Sequence, residues 1–185
     1  MIKLTAILHA MLPSTYDDQN CSVARALEIV GERWTILLVR DAMLGIRRFE
    51  DFQARLGVSR AVLSDRLGQL VEHGVMERVR YQRRPDRYEY TLTELGLELW
   101  PAIKALHEWG ASLTGHTPPR QFRHRDCGGR PRAAVHCDKC GEELTVDDVV
   151  TFPTPGAPVS RIAVLEESVG HELARERPLL QPVRG

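Results

Sequence analysis

Between Phe49 and Leu92 the chain carries a punctuation that few folds accommodate: amphipathic run, glycine, amphipathic run, glycine, then two alternating runs around a proline. In F-E-D-F-Q-A-R-L-G-V-S-R, Phe49, Phe52 and Leu56 share one helical face and Gly57 supplies a left-handed stop. Ser59 then caps a new helix. In it Leu63, Leu67, Leu70 and Val71 recur at helical spacing, so that stripe packs inward while Arg60, Ala61, Ser64, Asp65 and Gly68 face out, until Gly74 ends the helix. The runs V-M-E-R-V-R-Y and R-Y-E-Y-T-L flank Q-R-R-P-D, a hairpin pattern whose turn signal is Pro85 with Asp86. Short helix, tight turn, longer helix and basic hairpin is the order of a winged helix-turn-helix.

An outer helix face with few bulky side chains can enter the roughly 12 Å major groove of duplex DNA and offer short polar groups to base edges. The candidate contacts on that helix are Ser59, Arg60, Ala61 and Ser64, with Arg66 on its flank. Arg83 and Arg84 lie near the hairpin tip and Arg78, Arg80 and Arg87 along its strands, a spacing of guanidinium groups that suits phosphates or a narrow minor groove. A solvated surface hairpin is the alternative. The capped helix-turn-helix immediately before it weighs against that alternative.

The flanking helices point to a second copy of the chain. Ser22 caps a helix in which Val23, Ala26, Leu27 and Val30 align before Gly31, and W-T-I-L-L-V-R-D-A-M-L, apolar on most sides, reads as a buried scaffold helix. Beyond the hairpin, Thr93 caps a helix expected to run to about Leu113, kinked at Pro101. Along it Leu95, Leu99, Ala102, Leu106, Trp109 and Leu113 follow coiled-coil spacing, either the seam of a homodimer or the inward face of one domain. Two recognition helices related by a two-fold axis would read an inverted-repeat operator.

The net charge of zero does not count against a polyanionic partner, because local field governs phosphate binding. Arg120 to Cys140 holds six basic residues against Asp126 and Asp138, whereas Gly141 to the end holds eight acids against four arginines. Met1 to Leu12 has Lys3 ahead of L-T-A-I-L-H-A-M-L, but His9 interrupts the run and no small-residue cleavage site follows, so it reads as a short helix or arm. With no membrane span and no leader, the four cysteines point to a reducing cytoplasm, where thiols act as sensors or metal ligands.

After Gly115, H-T-P-P breaks the last helix, and H-R-D-C-G-G at 124–129 is followed by C-D-K-C-G at 137–141. Each supplies two ligands separated by two residues and followed by glycine. His124, Cys127, Cys137 and Cys140 would close a tetrahedron around a structural zinc ion with no open position for catalysis. A disulfide from Cys127 to Cys137 or Cys140, or three free thiols beside a surface histidine, are the competing readings. Arg120, Arg123, Arg125, Arg130 and Arg132 flank this ribbon-like unit, and T-F-P-T-P-G-A-P-V-S follows as a proline-rich linker to a weakly amphipathic tail.

Four stretches resemble the HxlR family of bacterial winged-helix regulators, a branch near the MarR type: C-S-V-A-R-A-L-E-I-V-G-E-R-W-T-I-L-L-V-R-D at 21–41, R-R-F-E-D-F at 47–52, L-S-D-R-L-G-Q-L-V-E-H-G-V at 63–75 and P-D-R-Y-E-Y-T-L-T-E-L-G at 85–96. The resemblance implies a homodimer joined through the first and last helices of the domain, acting on palindromic promoter DNA. It also implies a candidate redox sensor at Cys21, beside Ser22 at a helix start where the dipole favours the thiolate. The alternative is an unreactive thiol.

The expectation is therefore an α+β, mostly helical chain. Residues 1–20 form an arm, 21–115 the winged helix-turn-helix with its dimerisation helices, 120–150 a β-rich zinc-ribbon-like unit and 151–185 a linker and tail. The expected function is sequence-specific transcriptional regulation, most simply repression, under a small molecule or an oxidant. A docking module of the transcription machinery without sequence readout is the rival from another class. No paired carboxylates, Ser-His pair or open metal site suggests an enzyme.

Overall fold

Among the described helices, side-chain N-caps hold two, at Ser59 and Thr93, and left-handed glycines end two, at Gly57 and Gly115, whereas Ser22, expected as a cap, is the first residue of its helix. The computed structural model describes residues 21–115, 117–152 and 175–180; the expected N-terminal arm and most of the linker and tail fall outside them. α1 (Ser22–Val30) ends just before Gly31. α2 (Thr35–Met43) buries Leu38 and Val39 together with Thr35 and Asp41. α3 (Phe49–Leu56) stops at Gly57, whose φ of 64° is left-handed and open to glycine at little steric cost. The Ser59 hydroxyl accepts the Val62 amide at 3.4 Å and caps α4 (Arg60–Glu72), an interaction worth about 1 kcal/mol.

β1 (Met76–Arg83) and β2 (Asp86–Leu92) form the antiparallel hairpin, turning through Arg84 and Pro85, with Met76 opposite Leu92 and Arg83 opposite Asp86. The register shifts between Arg80 and Gln82, which leaves Tyr81 as the extra residue of a bulge. Arg48 bridges to Glu89, and the Tyr90 amide donates to the Arg47 carbonyl at 2.8 Å, so the start of α3 is stitched to the wing.

The single kinked helix expected from Thr93 to Leu113 is instead two helices, α5 (Glu94–Leu97) and α6 (Trp100–Thr114). Thr93 does cap the first, accepting the Gly96 amide at 3.2 Å while its hydroxyl donates to the Gly74 carbonyl at 2.6 Å. Pro101 causes no kink, because it stands in the first turn of α6, where its missing N–H deprives no carbonyl of a helical partner.

Leu38, Val39, Phe52, Leu63, Leu67, Leu70, Val75, Met76 and Ile103 make one core, and Leu99 packs against its edge. Burial of each large side chain contributes about 1.5–3 kcal/mol. A carboxylate lies among them. Asp41 is fully buried and takes Arg40 at 2.8 Å and Arg55 at 2.9 Å on the same oxygen, which ties the last turn of α3 to α2. The mixed, mostly helical architecture with small antiparallel sheets is the one the residue pattern predicts.

The chain divides into a unit of residues 29–136, which ends in the two-residue strand β3 (Val135–His136), and a second unit of residues 1–28 with 137–185. In the second, β4 (Glu143–Leu144) leads to a 3-10 turn at Val146–Asp148, and β5 (Val150–Thr151) pairs antiparallel with β6 (Arg177–Pro178). Asp148 Oδ2 accepts both the amide and the hydroxyl of Thr145, at 2.8 and 2.6 Å. These hydrogen bonds hold its carboxyl below the usual carboxylate range.

Candidate nucleic-acid interface

The outer face of α4 is open along the positions its periodicity marks: Arg60, Ala61, Ser64, Asp65 and Gly68 are all exposed, as is the cap Ser59. Arg60 is not extended into solvent. Its guanidinium lies 4.8 Å from the centre of the Phe49 ring and its Nη1 is 3.3 Å from Gln53 Oε1, so α3 holds the side chain at the head of α4. Arg66 is turned onto the protein, with Gln69 at 2.9 Å and Glu32 and Asp65 each at 3.4 Å, and its side chain is only 20% exposed.

Across from α4, the hairpin presents Arg83, Arg84 and Arg87, all exposed and, among the described residues, outside any ion pair. Nearer its base the arginines rest on aromatic rings. Arg78 sits 3.6 Å over Tyr88, and Arg48 lies 4.9 Å over Tyr81 while pairing with Glu89 at 3.2 Å. The hydrogen bond to Glu89 stabilises the charged form of Arg48 and pushes its pKa up further. Arg80 pairs with Asp86 at 3.7 Å.

Between the starts of α3 and α4 and the hairpin runs a groove of about 670 Å³, lined by Arg48, Arg60, Arg78 and Arg87 with Tyr81 and Tyr88; Glu50, Asp51 and Asp86 dilute its charge. Such a trough suits a phosphodiester backbone, since stacked guanidinium groups are preorganised and keep N–H donors to spare. Arg48, Phe49, Tyr81 and Tyr88 line this groove, and the sequence pattern does not single them out as candidate contacts. The alternation of Tyr and Arg in the two strands was visible, but which ring supports which guanidinium depends on the bulge at Tyr81.

The expected dimer residues divide. Leu95, Ala102, Leu106, Trp109 and Leu113 are exposed, whereas Leu99 is half-buried against the core. Trp109 and Leu113 are 63% and 65% exposed and, with Leu106, lie on one face of the helix as a contiguous apolar stripe. Val23 and Leu27 on α1 are exposed as well. Cys21 is an exposed free thiol one residue ahead of α1, and its carbonyl accepts the Arg25 amide at 3.0 Å.

The two cysteine-bearing loops fold alike. The His124 amide donates to the Gly129 carbonyl at 2.7 Å and the Gly128 amide returns to His124 at 3.0 Å; likewise Cys137 donates to Glu142 at 3.0 Å and receives Gly141 at 2.9 Å. Gly128 and Gly141 share positive φ, 72° and 76°. In the first loop His124 Nδ1 is 3.1 Å from Cys127 Sγ. In the second, the backbone N–H groups of Cys140 and Lys139, and then the Cys140 side chain, lower the Cys137 pKa. The loops belong to different units, and among the described residues no group of three or more His, Cys, Asp or Glu side chains is arranged to hold a metal ion. All four cysteines are free. Among the described residues no helix is long and apolar enough to cross a membrane.

Residues 29–118 match the model of the HxlR-like helix-turn-helix family. The uncharacterized HTH-type transcriptional regulator Rv3095 of Mycobacterium tuberculosis is 46% identical over 137 residues, covering 73% of this chain and 87% of that protein. A match of that length takes in residues 118–133 wherever it begins, so it reaches past the family span. Among solved structures, the chain is similar to PA1607, described as a candidate transcription factor, with a TM-score of 0.61 and 36% identity over 70% of this chain and 92% of that one. It is also similar to PA1374 of Pseudomonas aeruginosa, a second candidate transcription factor, with a TM-score of 0.52 and 33% identity over 75% and 95% of the two chains.

Proposed function

Since the chain belongs to the HxlR-like helix-turn-helix family of transcriptional regulators, which are not enzymes, we propose that it acts as a cytoplasmic homodimer that occupies an inverted-repeat promoter site and represses transcription from it. The observation that carries this reading is the exposed outer face of α4, capped by Ser59 and set beside an arginine-lined hairpin. Arg60 and Ser64 read base edges, with Ser59 and Ala61 close to the backbone, and Arg83, Arg84 and Arg87 hold phosphates or the minor groove. Arg66 contributes by fixing the flank of α4 through Gln69 and Glu32.

One sparse helix discriminates weakly, so the second half-site supplies specificity through the exposed stripe Leu106, Trp109 and Leu113, with Leu95 and Ala102 at its margin. Release follows a small molecule or an oxidant that changes the spacing of the two copies, with exposed Cys21 as the oxidant's target. The donor types of His124, Cys127, Cys137 and Cys140, and the backbone that each of the two loops repeats, are what support a structural zinc ion, although the four side chains are not gathered around one point; such an ion would take no part in any reaction.

Selection of genomic fragments by the purified full-length protein tests the proposal. An inverted repeat enriched among bound fragments is the expected result. Binding of fragments without a shared sequence would favour a docking module of the transcription machinery instead.

A further inference from the structure

Helix α6 has a second occupied face. Beyond Gly115 the chain turns back along it: His107 Nε2 lies 3.1 Å from the Arg120 carbonyl oxygen, and the Phe122 ring meets Trp100 and His107 edge-on, with centroids 4.8 and 5.2 Å apart. Further on, the Ala133 amide donates to Glu108 Oε2 at 2.8 Å, while the buried Lys104 ammonium holds the other oxygen of that carboxylate. Residues 118–133 therefore form a strap fixed to the last helix of the DNA-binding domain.

Under this strap lies a cleft of about 860 Å³ between α2 and α6. Its walls are apolar, with Ile36, Leu37, Ile103 and Leu106 on the helices, Leu44 just past α2, and Pro118, Pro119 and Phe122 on the strap, so Leu106 borders both the cleft and the exposed stripe. The polar lining has one sign: Arg40, Arg55 and Arg120 face the cleft, and no carboxylate does. Arg40 and Arg55 share the single charge of Asp41, bonded to the same oxygen, so one positive charge is unmatched and several N–H donors stay unused. His107 also lines the cleft, with its Nε2 turned to the Arg120 carbonyl. A smaller apolar cavity of about 360 Å³, lined by Trp100, Met43 and Leu97, adjoins the cleft through Arg40, Leu44, Ile103 and Phe122.

We propose that this cleft is a binding site for a small apolar carboxylate of one or two rings. The hydrocarbon body lies against Ile36, Leu37, Ile103 and Phe122, and the carboxylate points to Arg40, Arg55 and Arg120. Its volume falls in the range of small-molecule sites, and a mostly apolar wall with a few convergent polar groups is their usual chemistry. The strap supplies the roof and one of the cations, so the extension beyond the helix-turn-helix has a part in binding.

Isothermal titration of the full-length protein with 2-naphthoate and with its neutral counterpart 2-naphthamide tests the site. Saturable binding near one per chain is expected, with the acid at least tenfold tighter than the amide. Arg120→Ala should narrow that preference severalfold, and both Phe122→Ala and the cleft-filling Leu37→Trp should weaken acid and amide alike. No saturable heat from naphthoate, equal affinity for the two compounds, or naphthoate binding unchanged in Phe122→Ala and Leu37→Trp would each overturn the proposal, the last by placing the ligand elsewhere. The titration contains no DNA, so its outcome is independent of whether the chain reads an operator.

Discussion

To reach a base Arg60 would have to leave Phe49 and Gln53, contacts of about 0.5–1 kcal/mol for an exposed guanidinium. A bidentate base contact is worth about 1–3 kcal/mol of discrimination, enough to draw it out on the right sequence and not on the wrong one. Arg60→Ala is therefore expected to relax sequence preference with little change in salt dependence. Arg83→Ala with Arg84→Ala should instead weaken binding to all duplexes and reduce the salt slope by about two, since each phosphate contact releases roughly one counterion. An unchanged slope in titrations across ionic strength would remove the wing from the interface. A structural position is as exacting. A Cβ on Gly96 would overlap the Val75 carbonyl and come within 2.9 Å of Leu92 Cδ2, and the carbonyl is backbone held in place by the Thr93 amide at 3.2 Å. Gly96→Ala should lower stability by about 1–3 kcal/mol in denaturant titration, although alanine is normally the better helix former.

The elements of the DNA-binding unit were largely legible because each one carries its own terminators. Gly57, Ser59 and Gly74 stand at the boundaries their chemistry dictates, and the stripe of α4 is buried where its spacing puts it. The division between α5 and α6 was not legible. Proline within an apolar repeat reads equally as a kink or as a first turn, and nothing in the local sequence decides between them. The pairing of Asp41 with Arg55 was hidden for the same reason, since it needs α2 and α3 already packed. The exposed part of the stripe carries the prediction at this scale. Trp109→Asp with Leu113→Asp should leave the fold intact, because neither side chain is in the core, yet give a monomer by sedimentation with operator affinity down at least a hundredfold. A dimer persisting in this variant would move the interface off α6.

At the scale of the whole chain, the winged unit could be read from its residues, whereas the strap could not, because R-Q-F-R-H at 120–124 has no periodicity and its position follows from His107, Glu108 and Trp100. The cysteine loops were recognisable from spacing and glycine alone. Freshly reduced protein is expected to carry about one zinc per chain, lost in Cys137→Ser with Cys140→Ser; elemental analysis showing no metal would dismiss the ion. The strap should respond to acid. The hydrogen bond from Lys104 and then that from Ala133 keep the Glu108 pKa below its ordinary value, so this anchor stabilises the folded chain above the usual carboxylate range and is lost as pH falls through the lowered value. The Ala133 amide resonance should stay unchanged from neutral pH down through the usual carboxylate range and shift only below it; a shift near neutrality would assign the anchor to another group. The same attachment has a consequence in time. A ribosome completes α6 before it adds residues 118–133, so the helix with its exposed Trp109 and Leu113 is made before the strap that fastens to its other side. The exposed stripe is therefore complete ahead of the segment that roofs the cleft, and closure of the cleft becomes the later event in the life of each chain.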